Sequence, residues 1–267
     1  MSKKIITISI NNYSTIARQA NAISSFNSID MNQVTGDYAI CNPSENSVNL
    51  YPQSTNSYIT TNIIGDNKSI SSLGTFGNLT SPLDARFDSA RGKLWICDSG
   101  NDRIIRMDSF SLVTDFMIED VIFPYSMAVN SNDGSIFIRG FIDGTNAVIY
   151  NYSYSGVLIN KIDFIDRRYD EMPPINMMSF DFIRNRLWWV LEPTPYNSII
   201  LMWDLKNSQI VQLSINAETG RSLKPLSIDI DINSGNAIFS GLTSEQSYIF
   251  QIFRDNCHVV STTYLPT

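Results

Sequence analysis

The chain has 267 residues, of which 43% are hydrophobic and 17% charged, with a formal net charge of −7. A domain of this length buries roughly 75% of the surface that its unfolded chain exposes, so it needs neither disulfide nor metal to stay folded. Its 19 Lys and Arg are spread thinly, and acids flank the densest basic site, Arg167-Arg168, which argues against a protein that grips nucleic acid through its phosphates.

The first 24 residues open with "KKIITISI", in which Ile6, Ile8 and Ile10 alternate with Thr7 and Ser9, a strand signature. "STIARQANAIS" after it suits one or two helical turns. This apolar run is too short and interrupted for a signal peptide, and no stretch approaches the ~18 apolar residues of a membrane span. The chain therefore reads as soluble, in the cytoplasm or in a virion. The abundance of Asn, Ser and Ile fits an AT-rich coding genome, viral genomes among them.

From residue 25 a repeat emerges. "SIDMN" (28–32), "DARFD" (84–88), "SMAVN" (126–130), "SFDFI" (179–183) and "SIDID" (227–231) lie 56, 42, 53 and 48 residues apart. Positions two and four are apolar in each, the period of a strand with one apolar face. A turn follows, in which Gly36, Gly92, Gly134 and Gly235 share one position and Asn185 fills it in the fourth copy. Glycine accepts positive φ there without a Cβ clash. Each copy then continues through a second strand ("DYAIC", "KLWIC", "SIFIR", "LWWVL", "NAIFS"), a third and a fourth.

Four antiparallel strands repeated every ~40–50 residues are expected to build a β-propeller. One such sheet cannot cover both its faces, and radial stacking buries each face against a neighbour. The expected fold is all-β and a single domain over residues 1–267. Five blades are expected at about 25–66, 79–120, 121–164, 175–218 and 223–266, with six as the alternative. Residues 1–24 would supply a ring-closing strand and a short helix, or the vestige of a sixth blade. The longer connections are 65–78 and 165–175.

The second copy, "SPLDARFDSARGKLWICDSGNDRIIRMD", carries Pro82, Gly92, Asp98, Ser99, Gly100, Asn101 and Arg103. In this pattern it resembles an NHL repeat, over residues 81–108. The resemblance implies a propeller, with six blades as the usual number. Residues 40–52, "ICNPSENSVNLYP", align without a gap on 96–108 but keep only Asn42 and Asn46 of the polar set.

Several residue groups are candidates for function. Asp30, Arg86, Ala128, Asp181 and Asp229 share position three of the first strand, the innermost of a blade, and so should line the central channel. Three carboxylates on one axis could hold Ca²⁺; Arg86 could equally pair with two of them. Propeller lactonases, which this chain resembles in architecture only, use an axial metal to polarise an ester, so a metal-dependent hydrolase with Asp30, Asp181 and Asp229 at a cation is one reading. Asn42, Asp98 and Glu192 open the loop after the second strand. Asp98, with Gly100 and Asn101, reads as a turn that binds its own backbone N–H groups. Cys41 and Cys97 occupy matching positions and read as core thiols. With Cys257 they form no C-x-x-C pair, and the single His258 brings no G-x-S-x-G elbow for a triad.

The tryptophans of "LWWV", Trp188 and Trp189, must point to opposite faces. With Trp203 and the tyrosines of "VIYNYSYSG" they fit packing between blades, or sugar stacking in a glycan-binding propeller. Without a concentrated catalytic set, the leading expectation is a non-enzymatic module that binds protein partners or builds a homo-oligomer or a larger assembly such as a virion. It implies no cofactor beyond a possible Ca²⁺.

Overall fold

The structure, a computed structural model, describes residues 27–52, 62–65, 78–142, 147–163, 178–194, 197–214, 223–243, 248–253 and 259–265. The elements expected within residues 1–24, most of both long connections, Cys257 and His258 lie outside these residues.

The described residues form five four-stranded antiparallel sheets, each with its strands in sequence order. The first contains β1 (Ile29–Met31), β2 (Tyr38–Asn42), β3 (Ser47–Tyr51) and β4 (Asn62–Ile64). The second contains β5 (Pro82–Asp88), β6 (Lys93–Asp98), β7 (Arg103–Asp108) and β8 (Thr114–Ile118). The third contains β9 (Ile122–Val129), β10 (Ile136–Phe141), β11 (Ala147–Tyr152) and β12 (Leu158–Asp163). The fourth contains β13 (Met178–Asp181), β14 (Arg186–Thr194), β15 (Asn197–Asp204) and β16 (Gln209–Ser214). The fifth contains β17 (Leu223–Asp231), β18 (Asn236–Thr243), β19 (Tyr248–Phe253) and β20 (Val259–Leu265). Successive first strands touch one another, β1 with β5, β5 with β9, β9 with β13 and β13 with β17. The sheets thus stand radially around an axis with their first strands innermost, the arrangement of a β-propeller.

The strand period decides which core each residue joins. Ile96 packs with Cys41, Val48 and Leu50 of the first sheet, whereas Trp95, next to it, packs with Met127 and Ile138 of the third. Trp188 and Trp189 divide in the same way. Trp189 joins Phe137 of the third sheet, where Phe137 also stacks on Phe180 at 5.2 Å, and Trp188 joins Ile228 and Phe239 of the fifth. The second, third and fourth sheets therefore each pack on both neighbours, and each of these apolar cores is a seam between consecutive sheets. All three described tryptophans of this group, Trp188, Trp189 and Trp203, are buried, so none presents a ring to a glycan from the surface.

The hairpin between the first two strands is built alike in all five sheets. Gly36, Gly92, Gly134, Asn185 and Gly235 all have positive φ, between 60° and 78°. Four residues before each stands Asn32, Asp88, Asn130, Asp181 or Asp231. The side-chain oxygen accepts backbone N–H groups inside the turn, from Val34 at 3.0 Å, Asn132 at 3.1 Å, Ile183 at 3.1 Å and Arg184 at 3.0 Å, and Asn233 at 3.1 Å. These are Asx turns, which satisfy N–H groups that the ladder leaves unpaired.

The pairing corrects one expected alignment. Asp30, Arg86, Ala128 and Asp229 pair with Ala39, Trp95, Phe137 and Ile238, nine residues on, and the residue paired nine residues on in the fourth sheet is Ser179, with Trp188. Asp181 sits two residues later, at the end of β13, where it pairs with Arg186 and opens the turn. The innermost residues are thus Asp30, Arg86, Ala128, Ser179 and Asp229, spaced 56, 42, 51 and 50 residues apart.

Candidate functional site

An inner edge strand has backbone N–H groups without a ladder partner, and they need acceptors. Here side chains of the preceding sheet supply them. Ser28 Oγ accepts from Ala85 N at 3.2 Å, Asp30 Oδ2 from Phe87 N at 2.7 Å, and Asp84 Oδ2 from Met127 N at 2.7 Å. The polar residues of the first strand are therefore seam stitches as well as axial groups.

Arg86 stands among them. Its Nε lies 3.1 Å from Asp84 Oδ1, and its Nη1 3.9 Å from Asp30 Oδ1. Burial works against the guanidinium charge, but Asp84, Asp30 and Asp229 outweigh it and hold the group protonated. Asp229, from the fifth sheet, thus acts electrostatically on residues of the first two. Its Oδ1 accepts the Ser179 hydroxyl at 3.0 Å and its neighbour Ile230 N at 2.8 Å.

Burial pushes the Asp30 carboxyl up to about 6, against the pull of Arg86 and the bonds from Phe87 and Met31, with Asp229 adding a small push. The sign of the pH dependence follows. A carboxyl whose folded value exceeds its ordinary 3.8 contributes stability that is present below about pH 4 and is lost as pH rises through 6. Asp30→Asn keeps an oxygen for Phe87 N and removes that loss. Urea denaturation should show wild type and variant alike at pH 4 and the variant more stable at pH 7.5. The gain should be on the order of 1 kcal/mol, discounted for a side chain that remains partly open to solvent. A variant less stable at pH 7.5 than at pH 4, relative to wild type, would show that the Arg86 attraction dominates.

Of the three proposed metal ligands, Asp30 and Asp229 share the axial wall, and Asp181 does not. Asp181 Oδ2 holds Arg184 Nη1 at 3.0 Å in the hairpin turn. Among the described residues no group of three or more His, Cys, Asp and Glu is placed to hold a metal ion.

The Asp98 turn is a junction. Asp98 is fully buried. Its Oδ1 accepts Thr80 N at 2.7 Å, and its Oδ2 accepts Arg103 Nε at 2.6 Å and Asn101 Nδ2 at 2.8 Å. Arg103 Nη2 and Asn101 Nδ2 also reach Asn78 O, at 3.1 and 3.0 Å, and Gly100 N reaches Thr80 O at 2.8 Å. The carboxylate therefore fastens the segment that enters the second sheet to the turn between β6 and β7. Gly100 is required by this closeness, since a Cβ there would lie 2.8 Å from Thr80 O. Two residues on, Asp102 Oδ1 accepts Phe123 N of the third sheet at 2.7 Å, and its counterpart Asn46 accepts Ser81 N at 2.8 Å. All four residues of these two contacts have positive φ. The acid itself is not repeated. The residue three beyond the Phe137, Trp188 and Ile238 pairing positions is Gly140, Leu191 and Gly241, and Glu192, the expected fourth-sheet counterpart, lies one residue later within β14.

Cys41 and Cys97 are free, buried thiols, each pushed up chiefly by burial. They pack in the first two seams, as their apolar setting in the strands implied.

The hairpin end of the ring has features that strand reading missed. Turns between first and second strands and between third and fourth strands emerge on the same end. Contacts confirm it: Ser109 N donates to Gly92 O at 2.9 Å, and Leu205 N to Asn185 O at 3.1 Å. Arg91 of the second sheet reaches Ser131 O and Asn132 O of the third at 3.1 and 2.9 Å, while it pairs with Asp88 at 3.2 Å. Arg184 does the same to Ile232 O and Asn233 O of the fifth, both at 3.2 Å. Gly134 and Gly235 leave the room: a Cβ on either would lie 2.9 Å from Arg91 Nε or 2.5 Å from Arg184 Cζ. This end also carries exposed apolar residues, among them Val34, Phe110, Val113, Val157 and Ile183, of which Phe110 is 96% exposed. The available signal was an apolar residue in the middle of a polar turn, as in "NQVTGD" and "DSFSLV".

No protein-family model matches the sequence, and no curated protein compared with it does. Solved structures match by shape. A chain from the crystal structure of a nidogen/laminin complex superposes with a TM-score of 0.62 at 14% identity, over 89% of this chain and 79% of that one. A chain of hydrazine synthase from Kuenenia stuttgartiensis superposes with a TM-score of 0.65 at 13% identity, over 89% of this chain and 65% of that one. At such identities the likeness extends to the fold. The class of protein is thus a β-propeller, built of four-stranded antiparallel sheets in a ring. No helix among the described residues is long and apolar enough to cross a membrane.

Proposed function

We propose that this chain is a single-domain, non-enzymatic propeller that binds a protein partner through the hairpin end of its ring, as a module of a larger assembly in the cytoplasm or a virion. The observation that carries the reading is the exposure of Val34, Phe110, Val113, Val157 and Ile183 on turns of one end, from four different sheets. Exposed apolar residues gathered on one surface favour contact with another protein. The likeness to a chain from a complex of two proteins, nidogen and laminin, supports a binding role, although a chain from an enzyme is equally similar. The buried Asp98 clasp, the best-preserved part of the NHL-like pattern, supports a scaffolding part for that motif. A metal-dependent hydrolase is the weaker reading, because Asp181 is engaged with Arg184 and leaves two of three carboxylates at the axis.

The test is photo-crosslinking in the native assembly. A crosslinker at Phe110 or Ile183 should capture one defined protein. The same group at Asp120, on the opposite end, should capture none, and Val34→Ser with Phe110→Ser should abolish the capture. Equal capture from both ends, or turnover of a small substrate by the isolated monomer, would overturn the proposal.

A further inference from the structure

The outer edge of the third sheet stands apart from the partner face. β12 pairs with β11 on one side, and its register runs from Val148–Asp163 to Tyr152–Leu158. Among the described residues no strand pairs with its other side. Leu158 and Ile159 point to opposite faces of the strand, as neighbours must, yet both are exposed, as are Asn160, Lys161 and Asp163. By contrast, in β8, the corresponding strand of the second sheet, Asp115 is held by Lys93 at 2.8 Å and Arg106 at 2.6 Å, and Ile118 is buried. The Lys161 N–H is held by its own neighbour, Asn160 Oδ1, at 2.7 Å, a local bond that an incoming strand can replace, and an outer strand with apolar side chains on both faces is a template for another strand.

We propose that the occupant is β12 of a second copy of this chain, paired antiparallel about a two-fold axis. The charge pattern selects it. Lys161 and Asp163 lie two residues apart on one face and carry opposite charge. An antiparallel pair with Ile162 on the axis sets Lys161 of each copy against Asp163 of the other. Two identical ion pairs then form, while within one chain the same side chains meet only loosely, at 3.8 Å. An isologous interface requires such self-complementarity, and cross-strand pairs of opposite charge stabilise it whereas like charges oppose it. Ile162 would meet its own copy across the axis. The inference stands independently of the partner face, because neither Lys161 nor Asp163 lies in the hairpin turns.

Sedimentation velocity on the full chain over a range of concentrations tests it, with the charges exchanged. Wild type should form a dimer. Lys161→Asp and Asp163→Lys should each weaken it about tenfold or more in Kd, since each sets like charges opposite one another twice. The double variant restores opposite charges and should regain most of the affinity. Both side chains are at the surface, and an unchanged circular dichroism spectrum and Tm would show that the single variants fold. A monomer at every concentration overturns the proposal, as does a dimer indifferent to the single changes or a double variant weaker than either. If Lys161 instead guards the edge against pairing, Lys161→Leu would create a dimer that wild type lacks, which also overturns it.

Discussion

Replacing Asp98 with alanine is expected to destabilise the protein by about 3–5 kcal/mol, the range found when one member of a buried ion pair is removed. The carboxylate is fully buried and takes three hydrogen bonds, from Thr80, Asn101 and Arg103. Without it, Arg103 keeps its bond to Asn78 O but loses the Asp98 carboxylate, 2.6 Å from its Nε, in a setting from which solvent is nearly excluded. The entering segment also loses the anchor for Thr80. Asp98→Asn should cost less, because the amide oxygen can still accept one of these bonds, though it cannot balance the guanidinium. Urea denaturation followed by tryptophan fluorescence measures both, with Trp95 three residues away in the same strand. A loss below about 1 kcal/mol for the alanine variant would mean that water or Asn78 replaces the carboxylate. The second sheet would then be fastened elsewhere.

The second large effect is expected at the Arg184 clasp, and it should be non-additive. Gly235→Ala introduces a Cβ 2.5 Å from the Arg184 guanidinium, on a backbone with φ of +74°. The side chain can swing away only by giving up Asp181, Ile232 O and Asn233 O. The cost combines left-handed strain of roughly 1 kcal/mol with loss of the clasp, about 2–3 kcal/mol together. Arg184→Ala alone loses the clasp and leaves Asp181 Oδ2 without its cation. Once Arg184 is gone, the alanine at 235 meets no guanidinium, so the double variant should cost less than the sum of the singles by about 1 kcal/mol. Strict additivity would show that the glycine serves φ alone.

Much of the fold was legible because its rule is local. The two-residue alternation of the first strand and the turn glycine recur in each sheet, and the positive φ of Asn185 bears out its place among the glycines. Division of Trp188 from Trp189 also follows from alternation. The axial set was less legible. Counted back from the turn residue, position three of the fourth copy is Ser179; matched by the look of the strand, it becomes Asp181, because "SFDFI" resembles "SIDID" two residues out of step. The turn is the better ruler, since its backbone conformation restricts the residue more tightly than a half-buried strand position does.

Partners across seams could not be read from the sequence at all. Nothing in "DSARGK" announces that Arg91 crosses to Ser131 and Asn132, because carbonyl oxygens are present at every residue. The junction made by Asp98 was half legible. Its turn role follows from the residue types, whereas its hold on Thr80 depends on where the preceding segment enters. The apolar turn residues were overlooked for another reason. A strand pattern draws attention to alternating apolar positions, and a valine or phenylalanine inside a polar turn falls between the periods.

The clasps give the seams addresses. An arginine in one hairpin needs a glycine in the next, and among the described hairpins only the second-to-third and fourth-to-fifth junctions hold that combination, with Arg91 against Gly134 and Arg184 against Gly235. The first-to-second junction uses Gln33 N on Ser89 Oγ instead, and the third-to-fourth uses Asn132 on Phe182 O. Sheets of nearly the same outline are therefore not interchangeable tiles. If two were transposed by recombination, the strands would still form, but an arginine would arrive where no carbonyls are turned to meet it. The order of the ring is recorded in its turns as well as in the covalent chain, and a circular permutant cut in a linker would preserve that record intact.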